Sequence, residues 1–365
     1  MKIVYLGRYN ASEILTGPEK VAKRIFHNMT KINPNCVFIE YFFDGAKYNI
    51  WEKLFGKEKI ADADFEIYRL GLFRIFFFLI IYKPEIIHII TFERYAFVAF
   101  IYRLFFKVKI FYTVHGIAAF EKNLQTTQDT SIFCNIKNKI VESLIYAQSY
   151  KLIFLSKISI VNAKKYFNFE EKKVSIIPHA IDNLFFQNYE KKIYNNSVIK
   201  AVFVGDFSRP EKGLKKLLEV LKGINIKIEL YIISDSDEPI EGSDKNVAVF
   251  CNKKFDSYDY SAFLLDKDIF ISASMYEPFS ISALEGIASG LVPLFTIETG
   301  LSEITDKIDC GYYFSYQDIY KIKDYLEQFH KNKQAHFVKI HELQKILQEL
   351  SWENIARKYY QLYKS

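Results

Sequence analysis

Short apolar runs alternate with longer helix-period segments along almost the whole chain, and this alternation limits the possible folds more than any other feature of the sequence. Lys2 to Leu6, Val37 to Phe42, Ile86 to Ile90, Lys109 to Val114, Lys151 to Leu155 and Val174 to Ile177 are short and dominated by apolar residues, the pattern of strands buried on both faces. Helical candidates such as Glu19 to Lys31 and Ser156 to Phe167 lie between them. Strand and helix in alternation predict a parallel sheet covered by helices on both faces, the doubly wound α/β arrangement.

After Pro178 the pattern breaks. Gln187 to Ser197 is polar and has no apolar period, so it reads as a linker. The alternation restarts with Lys200 to Val204, a helix from about Glu211 to Leu221, Ile228 to Ile233, Val247 to Cys251, Asp268 to Ser272, a helix from Ser280 to Ser289, and Val292 to Phe295. The expected division is 1–186, a linker 187–197, 198–350 and a closing segment 351–365. It gives two Rossmann-like domains facing a cleft, and 365 residues suffice for two cores.

Composition narrows the function classes. Half of the residues are hydrophobic and a quarter charged, as in soluble globular proteins. The net charge of +6 is spread along the chain. It suits phosphates or an anionic membrane surface, whereas nucleic-acid binding, which needs a concentrated basic stripe, is not expected. Cys36, Cys134, Cys251 and Cys310 are far apart and form no CxxC pair, so neither a zinc site nor a disulfide framework is predicted and a cytoplasmic location is expected. The opening MKIVYLGRYN reads as a strand and lacks the apolar run of a signal peptide. Gly71 to Tyr82 and Tyr95 to Phe106 are strongly apolar but short of the ~20 residues of a membrane span, and each carries an arginine. Two readings of them stand: helices buried on the sheet, or amphipathic faces in peripheral contact with an anionic membrane.

The chemistry concentrates between Glu277 and Pro293. Glu277 and Glu285, eight residues apart, flank a strand-to-helix turn. The N–H groups and positive dipole end of a helix starting near Ser280 suit a pyrophosphate. Glu285, about a turn and a half inside the helix, suits the vicinal hydroxyls of a ribose. Taken alone, the two carboxylates would equally be surface residues of an acidic helix start. Arg209 and Lys212 follow a strand that ends at Val204, where cations meet phosphate oxygens. Gly17 opens the first helix, for a close backbone approach to a ligand or simply for a tight turn. His115 ends a strand and opens on the cleft, or is an ordinary core histidine, the reading also given to His88; His179 is a hinge residue or a ligand contact. There is no GxGxxG and no P-loop string, so no nicotinamide cofactor is indicated.

Gly17, Val114-His115-Gly116, Ile177-Pro178-His179-Ala180-Ile181-Asp182, the loop Gly205 to Gly213, and Glu277 with Glu285, in this order, resemble the motifs of retaining glycosyltransferases of family 4, which have the GT-B fold. Ser351 to Tyr363 looks like the family's last helix, which crosses back to the N-terminal domain, and the resemblance thus spans essentially the whole chain. It implies a sugar transfer with retention from a UDP- or GDP-type nucleotide-sugar to a glycan or lipid-linked acceptor, in cell-surface polysaccharide or glycolipid biosynthesis. It also implies catalytic roles for His115, Glu277 and Lys212. Donor contacts would come from Gly17, Arg209, Lys212, Phe279, Ser280, Ile281 and Glu285, and neither metal nor cofactor would be needed. The DxD strings Asp62/Asp64, Asp235/Asp237 and Asp266/Asp268 are read as solvated acids. This chain departs from the pattern at Asp206, where the family has an arginine, at Thr16 in place of a glycine, and at His179-Ala180 in place of Asn-Gly. Asp206 would oppose a pyrophosphate, and Arg209 is the expected substitute. A nucleotide-sugar 2-epimerase and a non-catalytic donor-binding homologue are the alternatives.

Overall fold

The structure, a computed structural model, describes all residues except 10–16, 43–47, 61, 63–64, 92, 119, 122–131, 187–196, 207 and 235–241. Thr16, Asp64, Asp235, Asp237 and the expected linker up to residue 196 lie outside the described residues.

Two sheets form, in the order of the two alternating halves. The first contains β1 (Ile3–Leu6), β2 (Cys36–Tyr41), β3 (Lys57–Lys59), β4 (Ile67–Leu70), β5 (Ile86–Ile89), β6 (Lys109–Val114), β7 (Lys151–Phe154) and β8 (Val174–Ile176). Their spatial order is β3-β4-β2-β1-β5-β6-β7-β8, parallel except for the antiparallel edge pair β3–β4. The second contains β9 (Ile199–Val204), β10 (Ile228–Ile233), β11 (Val247–Asn252), β12 (Ile269–Ser272), β13 (Val292–Thr296) and β14 (Tyr312–Phe314), all parallel, in the order β11-β10-β9-β12-β13-β14. β1, β2, β5, β12 and β13 are buried at every position, which is why they read as unbroken apolar runs. The fold is thus α/β with two Rossmann-like parallel-sheet domains, as expected. The edge strands β3 and β14, and β4 next to the edge, are short and partly polar and left no such run.

The helices are α1 (Gly17–Ile32), α2 (Ile50–Phe55), α3 (Leu72–Tyr82), α4 (Tyr95–Phe105), α5 (Ile132–Gln148), α6 (Lys157–Lys164), α7 (Leu214–Leu221), α8 (Ser257–Leu264), α9 (Ile281–Ala288), α10 (Ser302–Thr305), α11 (Ile322–Gln348) and α12 (Trp352–Lys364). One face of the first sheet packs on α3, α4 and α5, and the opposite face on α1 and α12. The helix expected from Glu211 starts only at Leu214: a 3-10 turn over Pro210–Lys212 and the left-handed Gly213 (φ +75°) come first. A Cβ at Gly213 would meet the carbonyl oxygen of Ala273 at 2.0 Å, so only glycine fits that turn. No helix among the described residues is long and apolar enough to cross a membrane.

The closing segment does return to the first sheet. Ser351 caps α12 by accepting from the Asn354 N–H at 3.3 Å, and Trp352, Ile355, Ala356, Tyr359 and Tyr363 are buried at helical spacing. The Tyr363 hydroxyl bonds His88 Nδ1 at 2.5 Å and the Tyr5 hydroxyl at 3.3 Å, and His88 Nε2 bonds Thr113 Oγ1 at 2.8 Å. His88 is therefore a satisfied core histidine. Tyr363→Ala is expected to destabilise the fold by about 3–5 kcal/mol through the cavity it leaves. Tyr363→Phe, which leaves His88 Nδ1 without its tyrosine, is expected to cost about 1–3 kcal/mol. Shifts of the urea midpoint read both values, and equal midpoints for the parent chain and Tyr363→Phe would show that the buried bonds contribute nothing.

Candidate functional site

The C-terminal ends of the two sheets border a cleft of about 830 Å³, and every residue singled out by the sequence lines it: Gly17, His115, Arg209, Lys212, Glu277, Phe279, Ser280, Ile281 and Glu285.

The second half builds the floor. Ser280 takes φ +75°, rare for a residue with a side chain, and its Oγ accepts from the Ala283 N–H at 3.4 Å. This turn starts α9 at the cleft, where first-turn N–H groups have no helical partner. Glu277 is pinned by its backbone: its N–H donates to Glu298 O at 3.1 Å and its carbonyl accepts from Gly300 at 2.8 Å. Its carboxylate forms an ion pair with Lys212. Arg209 donates to Glu211 Oε1 at 2.6 Å, and Glu211 is almost wholly buried. Asp206 lines the same cleft and accepts from the Ser234 hydroxyl.

Glu285 is buried 4 % exposed inside α9 and forms an ion pair with Lys20, which comes from α1 in the other half. Burial pushes its carboxyl up, and Lys20 opposes the shift. Lys20 also lies 3.3 Å from Ser257 Oγ and 3.9 Å from Asp182, while Arg24 reaches Asp182 at 3.1 Å. The sequence reading did not single out Lys20 or Arg24 as site residues. Their spacing from Gly17 along one face of α1 was the available signal.

The first half supplies the roof. His115 is enclosed, its Nε2 has no hydrogen-bond partner, and burial lowers its pKa to about 4, so the ring is neutral at pH 7. It stacks on His179 at 5.3 Å between centroids, and His179 meets Phe279 edge-on at 5.5 Å. Of the two readings of His179, the structure shows a residue lining the cleft. Gly17 has neither a left-handed φ nor a close neighbour: a Cβ there would meet Ile281 Cδ1 at 3.8 Å, ordinary contact. The fold alone does not demand glycine at that position.

Glu121, missed by the sequence reading, also lines the cleft. Burial pushes its carboxyl up to about 7, Arg209 opposes that and Glu277 adds to it. A carboxylate six residues after a strand-end histidine follows no spacing rule, so only the fold reveals it.

The described acids of the DxD strings do not line the cleft. Asp62 pairs with Lys23 at 3.4 Å, and exposed Asp266 with Lys200 at 2.7 Å. Asp268 is not solvated as expected: it is buried, 3.2 Å from the buried Lys333, and accepts from the Lys200 N–H at 2.9 Å. Among the described residues no group of three or more His, Cys, Asp or Glu is placed to hold a metal ion.

Over its whole length the chain is similar to sucrose-phosphate synthase from Thermosynechococcus elongatus, with a TM-score of 0.75, 14% identity and coverage of 100% of this chain and 98% of that one. It is similar as well to HepE from Anabaena in complex with UDP-glucose, with a TM-score of 0.71, 13% identity and coverage of 100% and 99%. These likenesses define the class: a GT-B fold. Residues 187–345 match the model of the family described as glycosyl transferases group 1. Glycogen synthase from Thermosipho melanesiensis is 27% identical over 221 residues, 54% of this chain and 46% of that protein. Glycogen synthase from Thermosipho africanus is 25% identical over 209 residues, 50% and 43% respectively. The chain spans about half the length of the curated relatives it matches.

The raised Glu121 pKa has a defined consequence for stability. Its ordinary value is 4.5 and its folded value about 7, so the unfolded chain releases the proton first. The contribution of the protonated carboxyl is complete below pH 4.5 and is lost as pH rises to about 7. Glu121→Gln is therefore expected to melt higher than the parent at about pH 8 and to lose that advantage at about pH 4. Thermal melts at the two pH values check this, and an advantage independent of pH would contradict it.

Proposed function

We propose that the chain is a retaining, metal-independent glycosyltransferase that takes a sugar from a UDP- or GDP-type nucleotide-sugar and passes it to a glycan or lipid-linked acceptor. The setting is cell-surface polysaccharide biosynthesis at the cytoplasmic face of a membrane. One observation carries the reading: two glutamates on either side of the α9 N-terminus face one cleft, and each is neutralised by a lysine. Carboxylates so held can exchange a lysine for sugar hydroxyls when a donor arrives.

In this reading Glu285 accepts from the ribose hydroxyls and Lys20 withdraws. Glu277 accepts from hydroxyls of the transferred sugar, which frees Lys212 for the diphosphate. Phe279, Ser280 and Ile281 offer backbone N–H groups to the phosphates, and Gly17 leaves room for the backbone to approach them. As the bond between the anomeric carbon and the phosphate oxygen breaks, negative charge grows on the diphosphate, and a fixed cation and helix dipole lower that barrier. Arg209 is the second cation, set against Asp206, whose charge the Ser234 hydroxyl partly answers. Neutral His115, with an unpartnered Nε2, is suited to a sugar hydroxyl rather than to the phosphates. HepE, of the same fold, has been solved with UDP-glucose, which supports a nucleotide-sugar in such a cleft.

A panel of UDP- and GDP-sugars, followed by thermal shift and slow donor hydrolysis, tests the reading. At least one donor is expected to stabilise the protein and to be hydrolysed. Lys212→Ala is expected to lower turnover by roughly 100- to 1,000-fold. Glu285→Ala is expected to weaken donor binding by roughly tenfold or more. Glu277→Ala should abolish hydrolysis, and Arg209→Ala should lose donor binding. Stabilisation by no donor would sink the proposal, and release of free nucleotide with an epimerised sugar would favour an epimerase.

A further inference from the structure

The helices over the outer face of the first sheet turn only one side inward. α3 buries Ile75 and Leu79, and α4 buries Tyr95, Ala96, Val98, Ala99 and Tyr102. Their other sides present Phe73, Phe77, Ile81, Phe97, Ile101, Leu104 and Phe105 to solvent, with Ile81 81 % and Leu104 79 % exposed. α2 buries nothing and adds Ile50, Trp51 and Phe55. Trp51 stacks on Phe55 at 6.0 Å and Phe55 on Phe73 at 5.0 Å, so α2 and α3 share one apolar surface. Between α4 and α5 this surface deepens into an apolar groove of about 180 Å³, lined by Phe97, Ile101, Leu104 and Leu144 among others. A patch of this extent exceeds what a monomer leaves in water without a use.

The charges on the same helices have one sign. α3 carries Arg74 and no acid, and α4 carries Arg103 and no acid. The single acid of α5, Glu142, is buried and accepts from the Ala118 N–H at 3.0 Å, whereas Lys139 is exposed. Glu52 of α2 is held in that helix's own capping box. An exposed apolar face bordered by cations, on helices too short to span a bilayer, has the composition of an interfacial anchor.

We propose that the face formed by α2, α3, α4 and the end of α5 docks the protein on an anionic lipid surface. The apolar side chains enter the headgroup boundary, and Arg74, Arg103 and Lys139 meet the lipid phosphates. This locates the membrane contact included in the functional reading above. It shares none of the cleft's lining residues.

Co-sedimentation of the full chain tests the proposal, using vesicles of equal parts phosphatidylcholine and phosphatidylglycerol against pure phosphatidylcholine. Binding to the anionic vesicles, weakened by salt, is expected. Leu104→Ser with Phe105→Ser should lower the partition coefficient at least roughly tenfold. Arg74→Gln, Arg103→Gln and Lys139→Gln should each lower it by roughly fivefold. Far-UV circular dichroism and donor-induced thermal shifts should match the parent's, so loss of docking is read separately from loss of the donor site. No sedimentation with anionic vesicles, or binding that these substitutions leave unchanged, would overturn the proposal. So would a dimer in solution that Leu104→Ser with Phe105→Ser dissociates, since the face would then belong to a second copy.

Discussion

The site depends on keeping a carboxylate buried. Glu285 is out of reach of bulk water, where an uncompensated charge costs several kcal/mol, and its neutralising partner arrives from a different sheet. Removing one member of such a pair costs about 3–5 kcal/mol, because the other charge is left stranded. The pair therefore couples α1 to α9 across the cleft, since loss of either partner strands the other. A ligand that replaces Lys20 has to satisfy Glu285 at least as well, and only a molecule with hydroxyls or cations at that depth can do so. In the proposed function, chemical selectivity would follow from the cost of leaving the carboxylate unpaired, before any shape of the pocket is considered.

Much of the architecture was legible because the central strands of both sheets are parallel and buried on both faces, which writes continuous apolar runs into the chain. Edge strands such as Lys57–Lys59 are exposed throughout and leave no such trace. The positions of Glu277 and Glu285 about a strand-to-helix turn were also legible, since eight residues of known geometry separate them. Their partners were not. That Lys20 meets Glu285, or that Glu121 sits beside Arg209 and Glu277, depends on how two halves far apart in sequence come together. The 3-10 turn at Lys212 was hidden for a different reason: Gly213 is dictated by the carbonyl of Ala273, a neighbour from another strand end.

The two histidines of the roof are held neutral by burial rather than by a partner. A stacked pair of imidazoles next to Phe279 sets an uncharged patch among cleft ions that come from both halves, Lys20, Arg24 and Glu121 from the first and Arg209, Lys212 and Glu277 from the second. Asp206, held by Ser234, leaves the cleft with less positive field than Arg209 and Lys212 alone would produce.

The return of α12 also bears on how the halves can move. Ile181, where the chain leaves the first sheet, and Ser351, where it comes back, form a parallel bridge, and the Ile181 N–H donates to Leu350 O at 2.9 Å. Two adjacent crossings tied by a hydrogen bond define a line rather than a point. Such a joint lets the halves tilt about one axis and resists twisting about the others. Glu303 accepts from the Lys157 and Ile158 N–H groups at 2.9 and 2.7 Å, a second tie between the halves that any such tilt would have to break.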